Sequence, residues 1–501
     1  MLPHLPDEIL ILIAREMEPR QRLNLLSVCR RWQSMFFPLA YSEVHITGSR
    51  LSRLVRSIHS HREIASTIQT LSLKNMDVTV MPEGNDPAWI QGCVRRFRLT
   101  PAEFDRWLMG IAKGSSDYWT ALLLCLLNTL VDLHMEYASD FSFTPLCMLR
   151  SATSLINKIP RVGRLKRVAI DQSTEIFLNP IVDIYPYFYL PSIRSISVTG
   201  LIDGGFPAGS IDPIQPAPPP SSMEEIKIEC VCNGGFWLPK FIISCTNLKK
   251  LTFRNLHEMP FGAPRDRFLR DDFYTPLLTQ KNSLEVLQLN YLGVAHDDQY
   301  DPAMDRDEMW DDRPYDRWLG SFADFTRLHT ISMRVPNLLD LSADKRHLNS
   351  SAVDTLPKSL EYLSISYASE FFLGPLFDGL TEVLDLRAER FPNLKKITVC
   401  CQGPEMKVLN SHFQRIDCLK QDCKAAKVGL DFVCDGPAVK HAAPPFPMLG
   451  FATDDIDFYS GMAFFNGMSG INGINGMPFS NDLAGMSPHN YNYGYNLDDV
   501  D

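Results

Sequence analysis

The chain has 501 residues, 45% of them apolar and 22% charged, with a formal net charge of −10. Such proportions belong to a folded polypeptide, and the length exceeds what one compact core holds, so several domains or an elongated array are expected. The negative balance, without any lysine- or arginine-rich block, argues against nucleic acid as the main ligand, and the longest oily run, Ala121 to Val131, is far short of the roughly 20 residues a bilayer crossing needs, so no membrane partner is expected.

The first element is residues 5 to 32, LPDEILILIAREMEPRQRLNLLSVCRRW. Pro6 suits a helix start, and Asp7 and Glu8 follow at the end favoured by the helix dipole. Ile9 to Ile13 are consecutive apolar residues, so this helix is oily on two sides. Gln21 to Ser27 predicts a second helix. Val28, Trp32, Met35 and Phe36 mark one face of a third, which Pro38 is expected to end. A unit of roughly 40 residues is at the size where a lone core stops sufficing, so its surplus apolar surface calls for another chain. Acids stand where a signal peptide would carry its basic region, so the chain is expected in the cytoplasm, the nucleus or both, with its twelve cysteines reduced.

At these residues the chain resembles an F-box. Leu5, Pro6, Glu8, Ile9, Leu10 and Ile13 match the first half of the family pattern, and Leu23, Leu26, Val28, Cys29, Arg30 and Trp32 the second. Arg22 departs from it, because the family usually carries an acid just before that leucine, which puts a helix-start contact in question. The resemblance implies a three-helix F-box over 1–45. It also implies a Skp-type adaptor docked on Leu5, Pro6, Ile9, Leu10, Ile13, Leu26, Val28, Cys29 and Trp32, with cullin reached through that adaptor.

Beyond this segment a polar residue followed by apolar-x-x-apolar-x-apolar recurs ten times, from Ile68/Leu71/Leu73 to Leu394/Ile397/Val399. From the second copy onward the first positions lie 25 to 44 residues apart. Each copy reads as a short strand preceded by a turn that tucks in one more apolar residue, and the intervening chain returns, often through a helix. Pro101 to Ile111 predicts a helix with Phe104, Leu108 and Ile111 on one face, and Asp117 to Leu130 a buried helix. The pattern resembles an irregular leucine-rich-repeat solenoid, although its periods exceed the usual range and the asparagine after the strand is mostly missing. With ALLLCLLNTL, the combination is similar to a fungal group of F-box proteins, a likeness that names no substrate.

The expected fold class is therefore α/β: an F-box over 1–45, a degenerate solenoid over 46–424 with parallel strands inside and helices outside, and an extension over 425–501. Loop insertions are expected at about 203–222, which is rich in proline and glycine, and at 296–318, which holds nine acids and three arginines among aromatics. From about residue 450 the Asn/Gly/Met/Tyr composition predicts disorder.

Between the buried positions of each strand, Ser72, His134, Ala169, Ser197, Lys227, Thr252, Gln288, Ser332, Ser364 and Thr398 are expected to point away from the core. Candidate target-binding residues on or beside that row are Lys227, Glu229, Arg254, Gln288, Asn290, Arg334 and Tyr362, with Trp310 from the acidic insertion. A merely solvated face and a non-contacting insertion are the alternatives. No phosphate loop, nucleophile elbow, zinc motif or dinucleotide fingerprint appears, so neither catalytic residues, metal nor cofactor is expected. The reading that follows is the substrate-recognition subunit of a cullin-RING ubiquitin ligase, holding an unknown protein target. Two others stay open: a Skp-bound scaffold acting outside the ligase, and a plain repeat interaction protein whose apolar N-terminus is only a cap.

Overall fold

Every copy of the pattern becomes a strand, because alternate side chains of an extended chain face one way and all the apolar ones face the same side. The structure, a computed structural model, describes residues 5–434 apart from 77–78, 81–87, 96–98, 138–162, 173–178, 181–186, 189, 203–219, 231–237, 256–269, 292–317, 343–346, 369 and 402–411. The strands are β1 (Glu43–Thr47), β2 (Thr70–Lys74), β3 (Asp132–Tyr137), β4 (Arg167–Gln172), β5 (Asn179–Pro180), β6 (Ser195–Ile202) and β7 (Glu225–Cys230). They continue as β8 (Lys250–Asn255), β9 (Val286–Tyr291), β10 (Thr330–Arg334), β11 (Tyr362–Ala368), β12 (Lys396–Cys401) and β13 (Gly429–Cys434). Twelve of them form one sheet in chain order, with short β5 off the path against β6. Neighbours run parallel throughout, so each connection crosses back over one face.

All thirty residues of the ten predicted copies are at most 5% exposed, which fixes the core face of the sheet. Against it pack helices from the crossovers, among them α4 (Leu51–Ser60), α7 (Pro101–Ala112), α8 (Ser116–Leu126), α9 (Leu238–Ser244) and α13 (Glu370–Asp385). Thr100 and Glu103 close a capping box on α7, and Trp107 and Ile111 are the side chains it buries. Phe104 and Leu108, expected on that face, are half-buried beside them.

In three copies the polar residue that opens the pattern has a task of its own. Thr129 Oγ1 donates to the Ala65 and Ile68 carbonyls at 3.2 and 2.9 Å. Ser222 Oγ donates to Pro191 O at 2.6 Å, and Ser359 Oγ to Phe325 O and Leu328 O at 3.3 and 2.9 Å. Each hydroxyl thus reaches the turn of the preceding copy and satisfies carbonyls that no strand partner serves. Ser359→Ala is expected to lower stability by about 1 kcal/mol, read as a lower urea midpoint at unchanged slope. An unmoved midpoint would show that water replaces the hydroxyl at no cost.

Four expectations need correction. The array does not stop at residue 424: a helix over Phe413–Ala425 leads into β13, which pairs with β12 through Cys434. The pattern missed β13 because Lys427, in the left-handed region at φ 56°, occupies the place of the leading apolar residue. It missed β1 too, where the aromatic Tyr41 at the end of a helix fills that position. Pro38 does not end its helix, which runs on to Ala40, although proline offers the Ser34 carbonyl no N–H. The loop insertion expected at about 203–222 ends before Ser221, a buried residue bridged to Cys245. The acidic insertion, Trp310 within it, and the tail lie outside the described residues.

Candidate docking surfaces

The N-terminal helices are α1 (Asp7–Glu16), α2 (Pro19–Leu25) and α3 (Arg30–Ala40). Their own core is small: Leu10, Ala14 and Phe36 are buried, with Leu5, Ile11, Leu25, Leu26, Trp32, Met35 and Leu39 partly covered around them. Trp32 meets Phe36 edge-on at 5.5 Å. On α1 the spacing divides the oily run. Leu10 and Ala14, four apart, face inward, whereas Ile9, Leu12 and Ile13, at i, i+3 and i+4, share the opposite stripe. Ile9, Leu12, Ile13, Leu23 and Val28 are 42 to 59% exposed. They are half of the large exposed apolar residues among those described, gathered within twenty positions, and such a concentration marks an interaction surface.

The structure distributes the expected adaptor-binding residues unevenly. Pro6, Ile9, Ile13, Val28 and Cys29 are exposed, and Leu5, Leu26 and Trp32 are half-buried. Leu10, by contrast, is 3% exposed and shapes the surface only from beneath. Leu12 and Leu23 were passed over. The signal for Leu12 was present in the five-residue apolar run, because no single helical face can bury five consecutive side chains.

Arg22 holds this unit in shape. Its guanidinium is buried at the end of α1, with Nε donating to Ala14 O and Met17 O at 3.1 and 3.0 Å and Nη2 to Arg15 O at 2.9 Å. A planar fork of donors thereby serves the Arg15 and Met17 carbonyls beyond the reach of the helix ladder and shares the Ala14 carbonyl with the Met17 N–H. Nη1 also lies 3.5 Å from Glu43 at the start of β1. That carboxylate is 43% exposed, so the pair adds little beside the carbonyl contacts. The contact put in question by the missing acid is thus replaced by a different one: a C-terminal cap on the preceding helix.

The outward face of the sheet forms one continuous row. The ten residues expected there pair in register from Ser72 to Thr398, with His45 and Asp431 extending the row at either end. From β1 to β8 this face carries charges that answer one another. Arg167 grips Asp132 at 2.5 and 2.6 Å, Lys250 meets Glu225 at 2.8 Å, and His134 meets Asp171 at 2.8 Å. Lys227 and Arg254 both reach Glu229, at 3.2 and 3.5 Å, so three of the expected target-binding residues spend their charge on each other. Gln288 accepts from Thr252 at 3.1 Å, Arg334 is 2% exposed, and Asn290 is a residue of β9. Tyr362 is 43% exposed, with the Lys395 ammonium 5.6 Å from its ring centre.

Ser72, His134 and Asp171 line up across three strands, Ser72 Oγ standing 3.4 Å from His134 Nδ1. Backbone N–H groups of a parallel ladder lie in the plane of the sheet, so none points over Ser72 as an oxyanion donor would, and the string reads as a face-bracing network. Among the described residues there is no group of three or more His, Cys, Asp or Glu able to hold a metal ion, and no helix long and apolar enough to cross a membrane. Cys29, Cys245, Cys418 and Cys423 are free thiols. Burial pushes the Cys245 thiol up to about 12 and the Cys423 thiol up to about 11, so neither supplies thiolate at neutral pH. Cys29 and Cys418 are exposed.

Residues 2–46 match the family model described as F-box-like, a span that takes in α1, α2, α3 and the surface just described. No curated protein matches the chain.

Proposed function

We propose that this chain is the substrate-recognition subunit of a cullin-RING ubiquitin ligase. F-box domains bind Skp-type adaptors, and the observation that carries the reading is the exposed stripe of Ile9, Leu12, Ile13, Leu23 and Val28 inside the F-box-like segment. An adaptor covering these side chains would supply the apolar cover that the small helical core lacks. Cullin would join through the adaptor, and a protein target would lie on the outward face of the repeats, which this reading treats as degenerate leucine-rich repeats. The work of the chain is then proximity, holding a target beside the ubiquitin-carrying enzyme without itself breaking bonds. It would act in the cytoplasm or the nucleus.

The thiols provide the test. In the free full-length chain at pH 8, iodoacetamide is expected to label Cys29 and Cys418 while sparing Cys245 and Cys423, whose thiols stay protonated far above that pH. Co-expressed Skp-type adaptor should slow labelling of Cys29 at least tenfold and leave Cys418 unchanged. Equal labelling of Cys29 with and without the adaptor would remove the reading.

A further inference from the structure

The outward face changes character after β8. On β9 to β12 the residues in line with the charged positions of the earlier strands are Val286, Gln288, Thr330, Ser332, Ser364 and Thr398. Tyr362 and Ser366 complete the patch. Two cations stand in these rows among the described residues. Lys396 is engaged by Asp431 at 2.6 Å, and Arg334 is buried. Lys395, at the rim, is held 2.6 Å from Glu361. A face that only meets water has no reason to thin its charge to Arg334 and Lys396 over four consecutive strands when six of the previous seven on the same face carry it, β6 alone showing only Ser195, Ser197 and Thr199. Charge depletion around an exposed aromatic, with ion pairs at the rim, is the composition of an interface centre. The Lys395 ammonium over the Tyr362 ring further steadies that ring.

We infer that this neutral patch receives an extended, uncharged and unphosphorylated polypeptide segment of the target, with one apolar side chain against Tyr362. The inference rests on the reading of the chain as a target receptor. Four strands span about 15 Å at the usual spacing, and an extended chain advances about 3.3 Å per residue, so about five residues cross the patch. Serine, threonine and glutamine side chains can both donate to and accept from a peptide backbone, whereas a phosphate or carboxylate laid here would have to draw Lys395 or Lys396 away from Glu361 or Asp431 to be answered.

The probes are two degenerate dodecapeptide libraries, one centred on serine and one on phosphoserine, passed over the immobilised full chain with its Skp-type adaptor. The serine library should be retained, the retained pool depleted in Asp, Glu, Lys and Arg. Retention should fall at least tenfold in Tyr362→Ala and in the Ser364→Asp/Thr398→Asp double variant, and stay unchanged in Arg167→Gln on the ion-paired half. Melting temperatures report whether the double variant folds; Tyr362→Ala, at an exposed position, decides if it does not. Equal or better retention of phosphoserine peptides, a charged retained pool, or no retention from either library would overturn the inference. Adaptor retention is scored on the same column: its loss from the wild-type chain would count against the docking reading and leave the peptide result to stand by itself.

Discussion

Replacing Ile9 and Val28 together by aspartate is expected to weaken binding of a Skp-type adaptor at least about a hundredfold, close to 3 kcal/mol, with little change in melting temperature. Both side chains are exposed, so neither substitution opens a cavity. Ile9 lies in the first turn of α1, and Val28 just precedes the N-terminus of α3, so a carboxylate at either place meets the favourable end of a helix dipole. Only a partner that presses apolar surface onto these positions would force the new charges out of water. Leu10→Asp is the instructive contrast. It buries a carboxylate between Ala14 and Phe36 and should unfold the helical unit, so lost binding in that variant would say nothing about docking. Calorimetric titration of the adaptor, with melting curves for each variant, checks both; undiminished affinity in the exposed double variant would end the docking proposal.

Arg22→Ala should destabilise the N-terminal unit by about 3 kcal/mol, as much as a core truncation. The alanine removes the guanidinium donors from the carbonyls of Arg15 and Met17 and leaves Ala14 O with the Met17 N–H alone. Hydrogen exchange of the α1 amides in the full chain should quicken by about a hundredfold. Lysine should recover less than half of the loss, because a single ammonium cannot span three acceptors as a planar fork does. Glu43→Gln should move exchange little, the 3.5 Å pair being half-exposed. Exchange in Arg22→Ala equal to wild type would mean that water caps α1 as well as the guanidinium.

The ten strands, their order of burial and the residues on their outward row were legible because each rests on local alternation: a strand shows every second side chain to the same side, whatever its neighbours do. Leu71 and Leu73 could be assigned to the core, and Ser72 between them to the other face, before any partner was known. The surplus of the N-terminal helices was equally plain, since five consecutive apolar residues exceed one helical face. Other features depended on distance in space. Leu10 and Ile9 are adjacent and chemically alike, and only the packing of α1 on α3 separates the buried one from the exposed one. Arg22 read as a departure from a pattern until folding brought it to the end of a helix eight residues back. Lys227, Glu229 and Arg254 looked like three separate offers to a partner; register between β7 and β8 brings them together as one ion-paired cluster on the outward face. Along this chain the amino-acid order determined which residues must avoid water, because hydrophobicity and alternation are local properties. Which of the remaining polar and apolar side chains stay available to another molecule was decided by the tertiary structure, because a charge or an oily group is taken up or left open by neighbours tens of residues away.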